Sequence, residues 1–265
     1  MEKQGSDRIW EIDFLRGFSI IMMVWDHLMY DLKSVPGWFA NYSELSHPVI
    51  QTVVDFAESY WYGSARAVGH FIFVAIFLLV SGISFTFSRS NGKRALKFLV
   101  FALLISAVTM SVQAITGLTI GVFFGIIHMF ALGTLITLLF RKLWDNNLFI
   151  LTIGVGIVVA GVLLDWRNVP YAELTFANSW KIILGIKGYG ADHFGLIPYT
   201  GVIMIGTVVG NLLYKPRLSL LPKLDGAWNK PFLLAGRHTL LIVVTHQPIL
   251  TGLVFLIGYL VGYHI

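Results

Sequence analysis

The chain has 265 residues, 56% of them hydrophobic and only 12% charged, with a mean hydropathy of +0.75 and a formal net charge of +5. Soluble domains carry roughly a quarter charged residues, so a water-soluble protein is excluded and a membrane protein is expected. The complete lack of cysteine excludes disulfides, thiolate metal sites and cysteine nucleophiles together.

A transmembrane helix needs ~20 apolar residues to cross a ~30 Å hydrocarbon core. Runs near that length fall at residues 10–32, 67–87, 97–115, 118–140, 148–164, 195–214 and 239–262. They predict an all-α membrane protein, a bundle of about seven transmembrane helices. No linker or charge block divides the chain, so residues 1–265 read as a single integral-membrane domain. The first run is too long for the apolar core of a signal peptide, holds Asp26 and His27, and is followed by no small-residue cleavage site, so it is expected to stay in the mature protein. Between the first two runs, Val49 to Tyr62 is expected to form a helix lying on the outer surface.

The basic residues set the orientation. With these spans drawn, fourteen of the nineteen Lys and Arg residues fall on one side: Lys3, Arg8, Arg16, Arg89, Lys93, Arg94, Lys97, Arg141, Lys142, Lys215, Arg217, Lys223, Lys230 and Arg237. The amino terminus is therefore expected in the cytoplasm and the carboxyl terminus outside. Basic residues beside lipid headgroups gain roughly 1 kcal/mol each, so the positive charge calls for a bilayer partner and no nucleic acid. The two long outer segments, 33–66 and 165–194, are rich in Trp, Tyr and Phe. They read as an interfacial aromatic belt or as stacking platforms for a sugar-like acceptor.

Polar groups at membrane depth are where chemistry is expected. At ~100° per residue, Asp13, Arg16, Ile20, Val24, His27 and Asp31 share one stripe of the first helix, while Asp26 points away from it. Arg16 and His27 lie eleven residues apart, about 16 Å along the helix. Asp31, one turn beyond His27, is expected to orient its imidazole as a carboxylate partner. Arg66 and His70 share a face near the outer start of the second span; His128 and His246 lie near mid-membrane, as cavity-lining groups or as helix-packing hydrogen bonds.

The segment Ile12-Asp13-Phe14-Leu15-Arg16-Gly17 with His27, then Phe77 to Ser84, Gly125 to His128, Ile197 to Gly201, and Gly236 to Leu240 with His246-Gln247-Pro248 resembles, in order, the transmembrane acyltransferases. These include heparan-alpha-glucosaminide N-acetyltransferase, its bacterial relatives, and the more distant membrane O-acyltransferases, which share the Arg-x10-His spacing. The resemblance implies transfer of an acyl group, acetyl by analogy, from cytoplasmic acyl-CoA (acetyl-CoA) as co-substrate to an extracytoplasmic hydroxyl or amine, on a small-molecule or glycan acceptor at the cell membrane. It implies His27 and Asp31 as catalytic residues, Arg16, Asp13 and Arg237 as donor-binding residues, and Arg66, His70, His128 and His246 as acceptor or cavity-lining residues. At the position matching His27 the human-type branch carries asparagine, and that branch's catalytic histidine would fall near Trp61 to Gly63, where this chain has none.

No metal is expected: no span holds two histidines at i, i+4, and His-Glu-x-x-His is absent. Gly-x-Ser-x-Gly is absent as well. The alternative reading is a small secondary transporter or exporter using a His27–Asp31 proton relay. A homo-oligomer is left open.

Overall fold

The computed structural model describes residues 8–117, 120–190 and 192–265. Lys3, Leu118 and the residues beside them, counted above for orientation and for the fourth span, lie in part outside these ranges. Among the described residues the regular structure is helical, apart from one isolated bridge between Tyr171 and Gly188. In chain order the α-helices are α1 (Trp10–Trp38), α2 (Tyr42–Leu45), α3 (Pro48–Tyr62), α4 (Ser64–Phe87), α5 (Asn91–Thr116), α6 (Ile126–Leu143), α7 (Asn147–Leu163), α8 (Phe176–Leu184), α9 (Leu196–Leu213), α10 (Lys230–Arg237) and α11 (Thr239–Leu260).

Five of these, α4, α5, α6, α9 and α11, are long and apolar enough to cross a membrane. Helix α7 is apolar with 17 residues. Helix α1, at 29 residues, is long enough but carries Glu11, Asp13, Arg16, Asp26, Asp31 and Lys33. The helix expected from 118 starts only at Ile126. The reason is local: Gly117 takes a left-handed φ of 73° and closes α5, a conformation glycine adopts without a Cβ penalty. The segment that follows has its backbone bonded by side chains instead, Gln113 Oε1 accepting from Gly121 N at 2.8 Å and Ser106 Oγ donating to Val122 O at 2.7 Å. Irregular backbone is tolerable when protein groups satisfy it in this way.

The chain divides into two compact units, one of residues 1–77 and 219–265, the other of 78–218. In the first, α1 packs on α3, α10 and α11. Its approach to α10 is backbone against backbone: a Cβ on Gly17 would strike the Phe232 carbonyl, and one on Gly236 the Asp13 carbonyl. Phe14 meets Trp10, Phe18, Trp228 and Phe232 in the same contact. Glu11 is buried and accepts from Ser219 Oγ at 2.8 Å and Leu220 N at 2.7 Å. At the Trp38 end, Val35, Phe39, Val54, Val254 and Tyr263 form an apolar core, and Asn41 ties down the chain end through Gly262 O and His264 N.

In the second unit α9 is the central element, packed on α6 and α7 over Ile150, Met204 and Val208. Gly82 and Gly206 meet at the contact between the end of α4 and α9, where a Cβ on either would strike backbone. Small residues let helix backbones approach closely where lipid supplies no hydrophobic drive.

Candidate active site

Every sequence-predicted site residue except His128 falls in the first unit. At the Trp10 end of α1, Asp13 is buried and collects three guanidinium groups. Arg16 Nη1 donates to Asp13 Oδ1 at 3.0 Å; Arg237 Nε and Arg8 Nη1 stand 3.5 and 3.7 Å from Oδ2. The Gly17–Gly236 approach brings this about, since it sets the end of α10 beside the first turns of α1. The Arg237 and Arg8 side chains are 43% and 58% exposed, so they can serve a second anion while holding Asp13. Guanidinium suits phosphate because its paired donors match two oxygens.

Further along α1, His27 meets His246 of α11. The rings lie 4.8 Å apart, centroid to centroid, at 85°. Each ring uses Nδ1 on its own helix: His27 on Met23 O at 2.8 Å, His246 on Ile242 O at 2.9 Å and Val243 O at 3.0 Å. A carbonyl only accepts, so Nδ1 carries the proton in both rings and the Nε2 lone pair is left for chemistry. His246 Nε2 is buried and has no hydrogen bond among the described residues. The sequence expectation that Asp31 would orient His27 meets a different set of bonds. Asp31 is fully buried and accepts from Gln247 Nε2 at 2.8 Å and Thr251 Oγ1 at 2.9 Å, so its carboxylate pins α1 to α11 and the Met23 carbonyl takes the orienting role.

Asp26 does point to another face, as expected, yet that face holds a polar cluster of its own. Arg66 clamps it with two parallel bonds, Nε to Oδ1 at 2.9 Å and Nη2 to Oδ2 at 2.7 Å. His70 Nδ1 lies 3.1 Å from Oδ2, and Tyr60 donates its hydroxyl to Oδ1 at 3.3 Å. Burial, followed by the Asp26 charge, pushes the Tyr60 phenol up, so it remains a donor. Trp61 covers the Arg66 guanidinium at 3.8 Å from the ring centroid, and Lys33 lies over Tyr30 and Trp61 at 4.6 and 5.2 Å. These aromatic faces are thus engaged by cations. The sequence signal for the cluster is the need of a carboxylate within an apolar helix for a partner, and Arg66, forty residues on, supplies it.

His128, in the second unit, spends both nitrogens on structure. Its Nδ1 accepts from Gly125 N at 3.3 Å, and Nε2 lies 3.0 Å from Ser106 Oγ, which itself donates to Val122 O. It caps the first turn of α6 and joins it to α5. Among the described residues no three His, Cys, Asp or Glu side chains gather as a metal site.

Comparison with protein families matches residues 8–248 to the heparan-alpha-glucosaminide N-acetyltransferase catalytic domain. The chain belongs to this family. It is thereby a member of a membrane acetyltransferase family, which accords with its five apolar helices. Comparisons with curated proteins and with solved structures found no match.

Proposed function

We propose that this family member is a seven-span enzyme of the cell membrane, amino terminus in the cytoplasm and carboxyl terminus outside. It moves an acyl group, acetyl by family, from cytoplasmic acyl-CoA to a hydroxyl or amine of an extracytoplasmic sugar or glycan. The observation that supports this reading is that α1 carries both ends of such a reaction. The Asp13–Arg16–Arg237 cluster sits near one end, and the His27–His246 pair stands about 16 Å further along the helix. The anionic nucleotide of CoA would rest on Arg237, Arg16 and Arg8, with its pantetheine arm running along α1. His27 Nε2, with its lone pair free, would meet the thioester as general base or transient acyl carrier, and the neighbouring His246 would share the positive charge that develops. Asp31 would act as a positioning residue through its hold on α11.

A proton-relay transporter would use His27 and Asp31 and give the arginine cluster no task. The two readings separate in one experiment on the purified protein, whose lack of cysteine leaves released CoA as the sole thiol. Acetyl-CoA is expected to stabilise the protein by ~2.7 kcal/mol at a hundredfold excess over its Kd and to release thiol when glucosamine is supplied. Arg237→Ala should weaken the stabilisation, while His27→Ala should keep it and lose the thiol release, because a transition-state interaction contributes to rate and not to donor affinity. A wild-type protein that shows neither stabilisation nor thiol release would sink the acyl-transfer reading.

A further inference from the structure

Outside the His27–His246 pair, one imidazole in the unit has the geometry of a general base. His70 turns Nδ1 to the Asp26 carboxylate at 3.1 Å. Since a carboxylate only accepts, the proton of neutral His70 sits on Nδ1 and the lone pair on Nε2. That nitrogen has no hydrogen bond among the described residues, and the side chain is 40% exposed. The Asp26 side chain is only 10% exposed and is fixed by Arg66 and Tyr60 as well, so it cannot swing with the ring. A carboxylate so held fixes both the tautomer and the direction of the imidazole. A ring serving only to pack α4 against α1 would need the Nδ1 bond alone and no accessible Nε2. Asp26 and His27 are adjacent in α1, so the His70 ring and the His27–His246 pair flank the helix at one level, about 100° apart around it.

We propose that His70 is the base that deprotonates the acceptor, with Asp26 as its positioning residue. The inference rests on the acyl-transfer reading and divides the work of that site: His27 meets the donor thioester, His70 the acceptor. As the acceptor oxygen or nitrogen bonds to the acyl carbon, its proton passes to His70 Nε2. The carbon–sulfur bond breaks, and the departing CoA thiolate takes a proton from solvent. His70 then returns its own proton to solvent, so no charge or atom is left over.

The test uses full-length protein in detergent, acetyl-CoA as donor and glucosamine as acceptor probe, with thiol release as readout. His70→Asn is the informative variant, because the Asn amide can still donate to Asp26 from near the Nδ1 position while Nε2 is lost. Its rate is expected to fall 10²–10⁴-fold, with stabilisation by acetyl-CoA unchanged. A role confined to packing predicts a wild-type rate instead, and that result would overturn the proposal. His70→Ala with added imidazole is the second arm: a rate that rises with imidazole supports the base, and a folded, acetyl-CoA-binding protein that imidazole leaves inactive counts against it. Loss of acetyl-CoA stabilisation in His70→Asn would place the ring at the donor end and also overturn the assignment. If the wild-type protein neither binds acetyl-CoA nor releases thiol, the acyl-transfer reading fails first and takes this inference with it.

Discussion

The two α1 carboxylates flanking His27 differ in what they hold, and that difference ranks their substitutions. Asp26 faces the Arg66 guanidinium, with side-chain exposures of 10% and 20%. Asp26→Asn leaves that cation without a charge partner, and breaking a buried pair from one side costs about 3–5 kcal/mol. Asp31 is surrounded by neutral donors, Gln247 and Thr251. An asparagine there still offers an oxygen, so the loss is confined to hydrogen bonding, about 1–3 kcal/mol. Asp26→Asn should therefore lower the melting temperature in detergent more than Asp31→Asn does. The opposite order would show that the Asp26–Arg66 geometry misstates the energetics. Position along the helix stripe alone suggests that Asp26 is the lesser residue; its partners reverse that ranking.

At the scale of elements, two glycines decide whether the arginine cluster exists. Gly17 and Gly236 let α1 and α10 touch through backbone, and α10 is only eight residues long. A methyl group at Gly236 meets the Asp13 carbonyl, an atom that cannot rotate aside. Overpacking of this kind costs about 1–3 kcal/mol, here spent on separating the two helices. Gly236→Ala should thus raise the Kd for acetyl-CoA in the same direction as Arg237→Ala, although it removes no charge. An unchanged Kd in a stable Gly236→Ala protein would detach the arginine cluster from donor binding. The late start of α6 belongs to this scale too. Hydropathy reads 118–140 as one run, but Gly117 stops α5 and side chains of α5 bond the segment that follows, so the helix begins at Ile126.

For the whole molecule, the orientation proposed from the basic residues is open to direct labelling, because a cysteine-free chain gives no background. Single cysteines replacing Arg89 or Lys142, both exposed, should react with an impermeant reagent only after the membrane is opened. Cysteines replacing Ser43 or Glu173, also exposed, should react in intact cells. The reverse pattern would overturn the cytoplasmic route for the donor. Seven spans place these four positions as stated. If α1 or α7 stayed out of the bilayer, the alternation would break at that helix.

The sequence by itself determined the class, the places of most of the long helices and the family resemblance. These depend on composition, on apolar run length against bilayer thickness, and on short ordered motifs, all properties of neighbouring residues. It also placed Asp13 and Arg16 together, and Arg66 with His70, because i, i+3 and i, i+4 spacing in a helix is local geometry. Partners across helices were not legible. That Arg237 reaches Asp13, that His246 faces His27, that Gln247 and Thr251 take Asp31, and that Asp26 binds Arg66 and His70 all depend on which helix faces pack. Packing joins residues 40 to 224 positions apart, and helical periodicity carries no information over that separation. Only the tertiary structure decided which carboxylate serves which imidazole.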